Sequence, residues 1–205
     1  MKNFIIIISF ILILIWSHSD SQDIEQCSYF TKKYERIYNL PNNLLTSIAL
    51  VESGIKKKQN HYTSWPWTLN VSGKSFYFDH RNELLDFLAQ NFTPKKSIDV
   101  GCMQINTIYH LKNFNNLDEL VDPEKNVKYA AIFLSGLYKK YKSWNEAISR
   151  YHSSIPENKK RYLNKVQTFW NNIRQKKIII KSDHMTNSEK EQINKFRNIL
   201  KSENL

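Results

Sequence analysis

The sequence predicts a mainly α-helical domain interrupted by a small β-hairpin. Apolar residues recur at three- and four-residue spacing along most of the chain. Proline and glycine fall at the ends of those stretches, and one short segment instead pairs two strand-like runs about a Ser-Gly dipeptide. With 205 residues, 41% of them hydrophobic and only 4 Gly, the chain can bury one real core, which excludes a disordered or fibrous protein.

In order, Ser28 to Leu40 places Tyr29, Phe30, Tyr34, Ile37 and Tyr38 at the spacing of an amphipathic helix, which Pro41 stops. Asn42 to Ser53 follows as a strongly apolar helix ended by Gly54. Thr68 to Val71, the pair Ser72-Gly73 and Lys74 to Phe78 read as a hairpin. Residues 81–92 return to helix, and Asp122-Pro123 starts a long one reaching about Tyr141. Its stripe of Phe133, Leu134, Leu137, Tyr138 and Tyr141 is assigned to core. Two more helices are expected, over Trp144 to His152 and Glu157 to about Arg174, followed by a basic tail at 175–205. No internal repeat is present.

Lys2 precedes an apolar run from Phe4 to Trp16, after which the chain turns polar. That run is shorter than the roughly 20 helical residues a bilayer requires and fits the apolar region of a secretory signal peptide. Ser17, Ser19 and Ser21 put cleavage after Ser19 or Ser21, so residues 1–21 are expected to be a signal peptide, with an uncleaved anchor as the alternative. Either way the remainder is exported to the periplasm or cell envelope, and it meets the membrane only through an uncleaved amino end.

Lys plus Arg outnumber Asp plus Glu by 30 to 19, a net charge of +11 that favours nucleic acid, an anionic membrane or an acidic cell wall as partner. Removing residues 1–21 takes away Lys2 and Asp20 and leaves that charge unchanged. Export argues against nucleic acid. In an oxidising compartment Cys27 and Cys102 form either a disulfide or two buried free thiols. The bridge would be worth on the order of 4 kcal/mol by the chain-entropy account. His18, His61, His80, His110, His152 and His184 show no paired spacing, so no metal site is expected.

Most carboxylates of the chain lie in polar company and read as solvated surface groups. Glu52 differs: helical spacing sets it over Ile48 and near Leu45, on the face that should be buried. It also falls in the last turn of its helix, where desolvation and the negative dipole end favour the protonated form. A carboxylic acid kept neutral near pH 7 suits a general acid; the alternative is a glutamate that caps the helix or pairs with a base.

Glu52-Ser53-Gly54 is followed by Gly101-Cys102-Met103-Gln104-Ile105-Asn106, Asp122-Pro123-Glu124-Lys125-Asn126-Val127 and Ala147-Ile148-Ser149-Arg150-Tyr151. This ordered set resembles the lytic transglycosylases with a soluble-lytic-transglycosylase (SLT) domain, relatives of goose-type lysozyme, over about Leu44 to Tyr162. The resemblance implies a lysozyme-like fold with the hairpin as an insertion, and a catalytic domain at 22–174. It also implies cleavage of peptidoglycan glycan strands between N-acetylmuramic acid and N-acetylglucosamine, without a cofactor.

Carried over residue by residue, the resemblance makes Glu52 the single acid/base and puts Ser53 among the substrate-binding residues, orienting the reacting sugar or the carboxyl group. Met103 and Gln104 would line the cleft with Asn106 near it, and Tyr151 would hydrogen-bond toward Glu52. The sugar's own C6 hydroxyl would close on C1 to give a 1,6-anhydro ring. Water in its place would make the protein a lysozyme, and loss of catalysis would leave a wall-binding scaffold. Members of the family also serve envelope-spanning secretion, conjugation or pilus machines. His152 departs from the family's usual Asn, and the long stretch from Glu52 to Gly101 carries Trp65 and Trp67, which read equally as sugar-stacking faces or as packing.

Overall fold

The computed structural model describes residues 26–56, 62–183 and 186–187, so the expected signal peptide and most of the expected tail lie outside the described residues. Contacts divide the chain into two compact units, Met1–Phe169 and Trp170–Leu205. The expected core and site fall in the first. In the second, the Arg174 guanidinium lies 5.7 Å from the centre of the Trp170 ring.

Helix α1 covers 26–37 and buries Cys27, Thr31, Tyr34 and Glu35, one stripe at helical spacing. Tyr29 and Ile37, expected on that stripe, are instead exposed. A polar anchor displaces them. The Glu35 carboxylate turns inward and accepts the backbone N–H of Asn43 at 2.9 Å and that of Thr46 at 3.0 Å, capping the start of α2 (Leu44–Ser53). Apolar periodicity alone does not register a side chain that is polar and buried.

Helix α2 is buried through Leu44, Leu45, Ile48 and Ala49 and runs straight into β1 (Gly54–Lys56), which pairs antiparallel with β2 (Tyr62–Ser64). Gly54 is obligatory there, since a Cβ at that position would stand 2.1 Å from the Leu50 carbonyl oxygen. The expected hairpin forms as β3 (Thr68–Val71) and β4 (Lys74–Tyr77), joined by Ser72 and Gly73 at positive φ. It belongs to a larger four-stranded sheet, extended by β5 (Ile98–Val100) and β6 (Ile105–Asn106) in the order β4-β3-β5-β6. Those two added strands are too short to leave a periodic trace in the sequence. Leu69, Val71, Ile98, Val100 and Ile105 bury one face, and the other face carries a cross-strand row of Ser75, Asn70, Asp99 and Asn106. Trp65 and Trp67 are buried, and Trp65 Nε1 donates to the Phe78 carbonyl at 2.9 Å, which decides for packing over sugar stacking.

The remaining helices are α3 (Arg81–Asn91), α4 (Thr107–His110), α5 (Leu117–Val121), α6 (Pro123–Tyr141), α7 (Trp144–His152) and α8 (Pro156–Asp183). Asp122 caps α6 by accepting the Lys125 N–H at 2.9 Å, with Pro123 at the first helical position. The Tyr138 and Trp144 rings stack at 4.0 Å between α6 and α7. Of the stripe assigned to core on α6, Leu134 is fully buried and the other four residues are half-buried. Helix α8 continues past Arg174, where the sequence suggested an end.

The side chain of Asn126 on α6 is fully buried and joins three segments of the first unit. Its Nδ2 donates to the Val100 carbonyl at 2.9 Å and to the Leu120 carbonyl at 3.0 Å, and its Oδ1 accepts the Met103 N–H at 3.0 Å. Asn126→Leu fits the volume but strands three buried backbone groups, so we expect a loss of about 2–4 kcal/mol, read by urea unfolding. A loss under half of the low figure would show that the amide is not the joint.

Candidate active site

Glu52 lies in the last turn of α2 and is half-buried. Tyr162, on α8 and itself buried, donates its hydroxyl to Glu52 Oε1 at 2.5 Å. Desolvation pushes the Glu52 carboxyl up to about 8, against the Tyr162 hydrogen bond and the positive charge of Lys165 and with the help of the Asp99 charge. Burial at this position favours the protonated carboxyl near neutral pH, with the Tyr162 hydroxyl and the Lys165 charge opposing it. His152 lies face to face with the Tyr162 ring, centroids 4.5 Å apart, and desolvation holds its own proton affinity below the usual histidine value. These groups border a cavity of about 310 Å³ together with Val51, Asn158, Arg161 and Lys165.

A single turn, 101–104, organises the site, and four separate segments of the sequence meet there. Gly101 stands at φ 76, and a Cβ on it would approach Asn126 Nδ2 to 3.0 Å. Ser53 Oγ, buried beside Glu52, donates to the Cys102 carbonyl at 2.8 Å. Tyr151 Oη donates to the Met103 carbonyl at 2.9 Å. The Cys27–Cys102 disulfide fastens the same turn to α1. The end of α2, α1, α6 and α7 are thus all tied to one turn, and Glu52 is aimed by that joint.

The expected hydrogen bond from Tyr151 to Glu52 is corrected: Tyr162 makes it, and Tyr151 serves the Met103 carbonyl instead. The reason is reach, since the Tyr151 hydroxyl is taken up by the turn while the adjacent face of α8 presents Tyr162 to the carboxyl. Met103, expected to line the cleft, is buried, and Ser53, expected to orient the reacting sugar or the carboxyl group, is buried with its hydroxyl on the Cys102 carbonyl. Gln104, at φ 46, is half-buried and donates from Nε2 to the Gly101 carbonyl at 3.0 Å. Asn106 is half-buried on the polar row of the sheet, giving Nδ2 to Asp99 Oδ1 at 2.7 Å.

Two functional candidates escaped the sequence reading. Asp99 lies between Ile98 and Val100, both fully buried, so strand alternation turns it to the opposite face. Its charge is felt by Glu52, Tyr151 and His152, and desolvation raises its own proton affinity. That alternation was the available signal, hidden because β5 spans only three residues. Tyr162 had no signal at all beyond helical spacing. Among the described residues no cluster of His, Cys, Asp and Glu could hold a metal ion, and no helix is long and apolar enough to cross a membrane.

A family model described as "Transglycosylase SLT domain" matches residues 29–174. The chain belongs to the SLT transglycosylase family. The helical body with its small antiparallel sheet is the lysozyme-like SLT fold. SLT domains carry lytic transglycosylase activity in general, and they act on peptidoglycan outside the cytoplasm. No curated protein and no solved structure matches the chain significantly.

A test of the SLT site follows from its hydrogen bonds. The hydroxyl of Tyr162 favours the ionised form of Glu52, so Tyr162→Phe is expected to move the Glu52 titration further upward. Carbon-13 NMR of the glutamate carboxyls reads this directly, and an unmoved or lowered titration would remove Tyr162 from the control of Glu52.

Proposed function

We propose that this SLT domain cuts the β-1,4 bond between N-acetylmuramic acid and N-acetylglucosamine and leaves 1,6-anhydromuramic ends, with Glu52 as its one acid/base. The observation that carries this reading is the Tyr162-held carboxyl of Glu52 at the edge of the cavity, where desolvation favours its protonated form. Glu52 gives its proton to the glycosidic oxygen as the bond from C1 breaks, and the muramic N-acetyl group steadies the cationic centre. The resulting carboxylate then takes the proton of the C6 hydroxyl as O6 bonds to C1, which closes the ring and restores the acid. No water is consumed, and no cofactor takes part.

In this reading Gln104 and Asn106 face the glycan, while Ser53, Met103 and Tyr151 hold the turn that positions Glu52. The domain works in the periplasm or cell envelope, delivered by residues 1–21, and opens the wall, in one version for an envelope-spanning machine. Mass spectrometry of purified peptidoglycan, digested with the mature protein and with Glu52→Gln, tests the chemistry. Anhydro ends that vanish in the variant support it; products from both proteins would sink it, and products from neither would favour a binding scaffold.

One observation favours a second reading, hydrolysis. Ordinary glycosidases use two carboxylates, and Asp99 supplies a second one whose charge reaches Glu52. Asp99 would then act on water, the products would carry reducing ends, and Asp99→Asn would abolish them.

A further inference from the structure

Helix α8 brings more than Tyr162 to the cavity. Asn158, Arg161, Tyr162 and Lys165 follow at the spacing of one helical face, and all four line the space of about 310 Å³ beside Glu52. That volume lies at the lower end for small-ligand sites.

The two cations are held differently from their neighbours. Arg150 and Lys159 both go to Glu146, at 2.8 Å and 2.7 Å. Arg161 reaches Glu157 only at 4.0 Å, bonding instead to Asn158 Oδ1 at 2.6 Å, and Lys165 has no ion-pair partner among the described residues. Lys165 also stands where it does harm to the acid, because its charge favours the ionised form of Glu52. The cavity beside the Glu52 carboxyl therefore holds two cations without a close carboxylate partner among the described residues, a lining complementary to an anionic ligand.

We propose that Arg161 and Lys165 form a carboxylate-binding subsite for the peptidoglycan substrate, adjoining Glu52. The proposal rests on the reading of Glu52 as the reacting acid. Peptidoglycan offers the carboxylate from two sources: the lactyl group of muramic acid where no peptide is attached, and the stem peptide where one is. A bound carboxylate would neutralise Lys165 at the moment Glu52 must hold its proton, so binding and protonation would act together. Arg161 supplies a planar fork and Lys165 a mobile point charge, a pair suited to a carboxylate that arrives at variable angles.

The test measures binding and cutting separately. Fluorescence anisotropy is recorded with the full mature chain as Glu52→Gln, which keeps strands intact, with and without the added pair Arg161→Gln and Lys165→Gln. Three labelled glycan strands are used: peptide-bearing, amidase-stripped with free lactyl carboxyls, and stripped with the lactyl carboxyls methylamidated. The double change is expected to weaken binding about tenfold on carboxylate-bearing strands and to leave the amidated strand unaffected. Weakening on peptide-bearing strands alone assigns the stem peptide, and weakening on stripped strands assigns the lactyl group. Lys165→Arg should restore much of the loss, which a merely structural role would not give. Equal affinity of the two proteins on all three strands overturns the subsite. Failure of the Glu52 reading shows elsewhere, as strands that the Glu52→Gln chain still cuts.

Discussion

Glu52→Gln is expected to lose cutting of peptidoglycan by about 10²- to 10⁴-fold, the range for removal of a positioned general acid–base, while the folded protein gains stability at alkaline pH. The two effects share one cause. The carboxyl is held at about 8 by desolvation, against an ordinary value of 4.5. Between those values the folded chain keeps a proton that the unfolded chain has released, so wild-type stability falls as pH rises through this window and the whole penalty is present above 8. Glutamine carries no such penalty, and its Oε1 still accepts the Tyr162 hydroxyl. Allowing for the half-exposed position of Glu52, the variant should exceed the wild type by about 1–3 kcal/mol at pH 9 and match it near pH 4. Urea unfolding at the two values reads the difference. A variant that is less stable at both would mean that Glu52 caps or pairs, as the plainer reading of the sequence allowed. The wild-type rate should also fall as pH rises through about 8, where the acid loses its proton.

The helices were legible because their ends carry chemistry: Asp122-Pro123 for α6, and Gly54 for α2. Both the long helix to Tyr141 and the one from Trp144 to His152 stand where periodicity put them. Glu52 was legible for the same reason, as a charge set among Leu45 and Ile48, both fully buried. What the sequence did not reveal is why the four short motifs occur together. Ser53, Asn126 and Tyr151 are far apart in the chain, yet each contributes one group to the turn that begins at Gly101, and pairwise contacts between distant segments leave no local pattern. The same limit explains the exchange of Tyr151 for Tyr162. Both tyrosines sit on helices facing the site, and only the three-dimensional reach of each hydroxyl decides which one meets Glu52. Asp99 was hidden for a different reason, since a three-residue strand gives alternation too little length to stand out.

Replacing Cys27 and Cys102 together with serine is expected to cost about 4 kcal/mol and to lower the melting temperature by about 10 °C for a domain of this size. The bridge spans 75 residues of sequence, and closing so long a loop restricts the unfolded chain strongly. Both sulfurs belong to fully buried residues, so a reductant should act only after the protein opens. In native buffer the bond should resist dithiothreitol, and in urea it should yield quickly. The site should survive its loss at 25 °C, because Ser53, Asn126 and Tyr151 still hold the turn from three other directions. Melting curves of the oxidised and serine proteins test the stability, and cutting rates below both melting transitions test the site. An unchanged melting temperature would remove the bridge from the stability of the fold. Lost cutting with melting unchanged would make it part of the aiming of Glu52 instead, which the three remaining ties on the turn argue against.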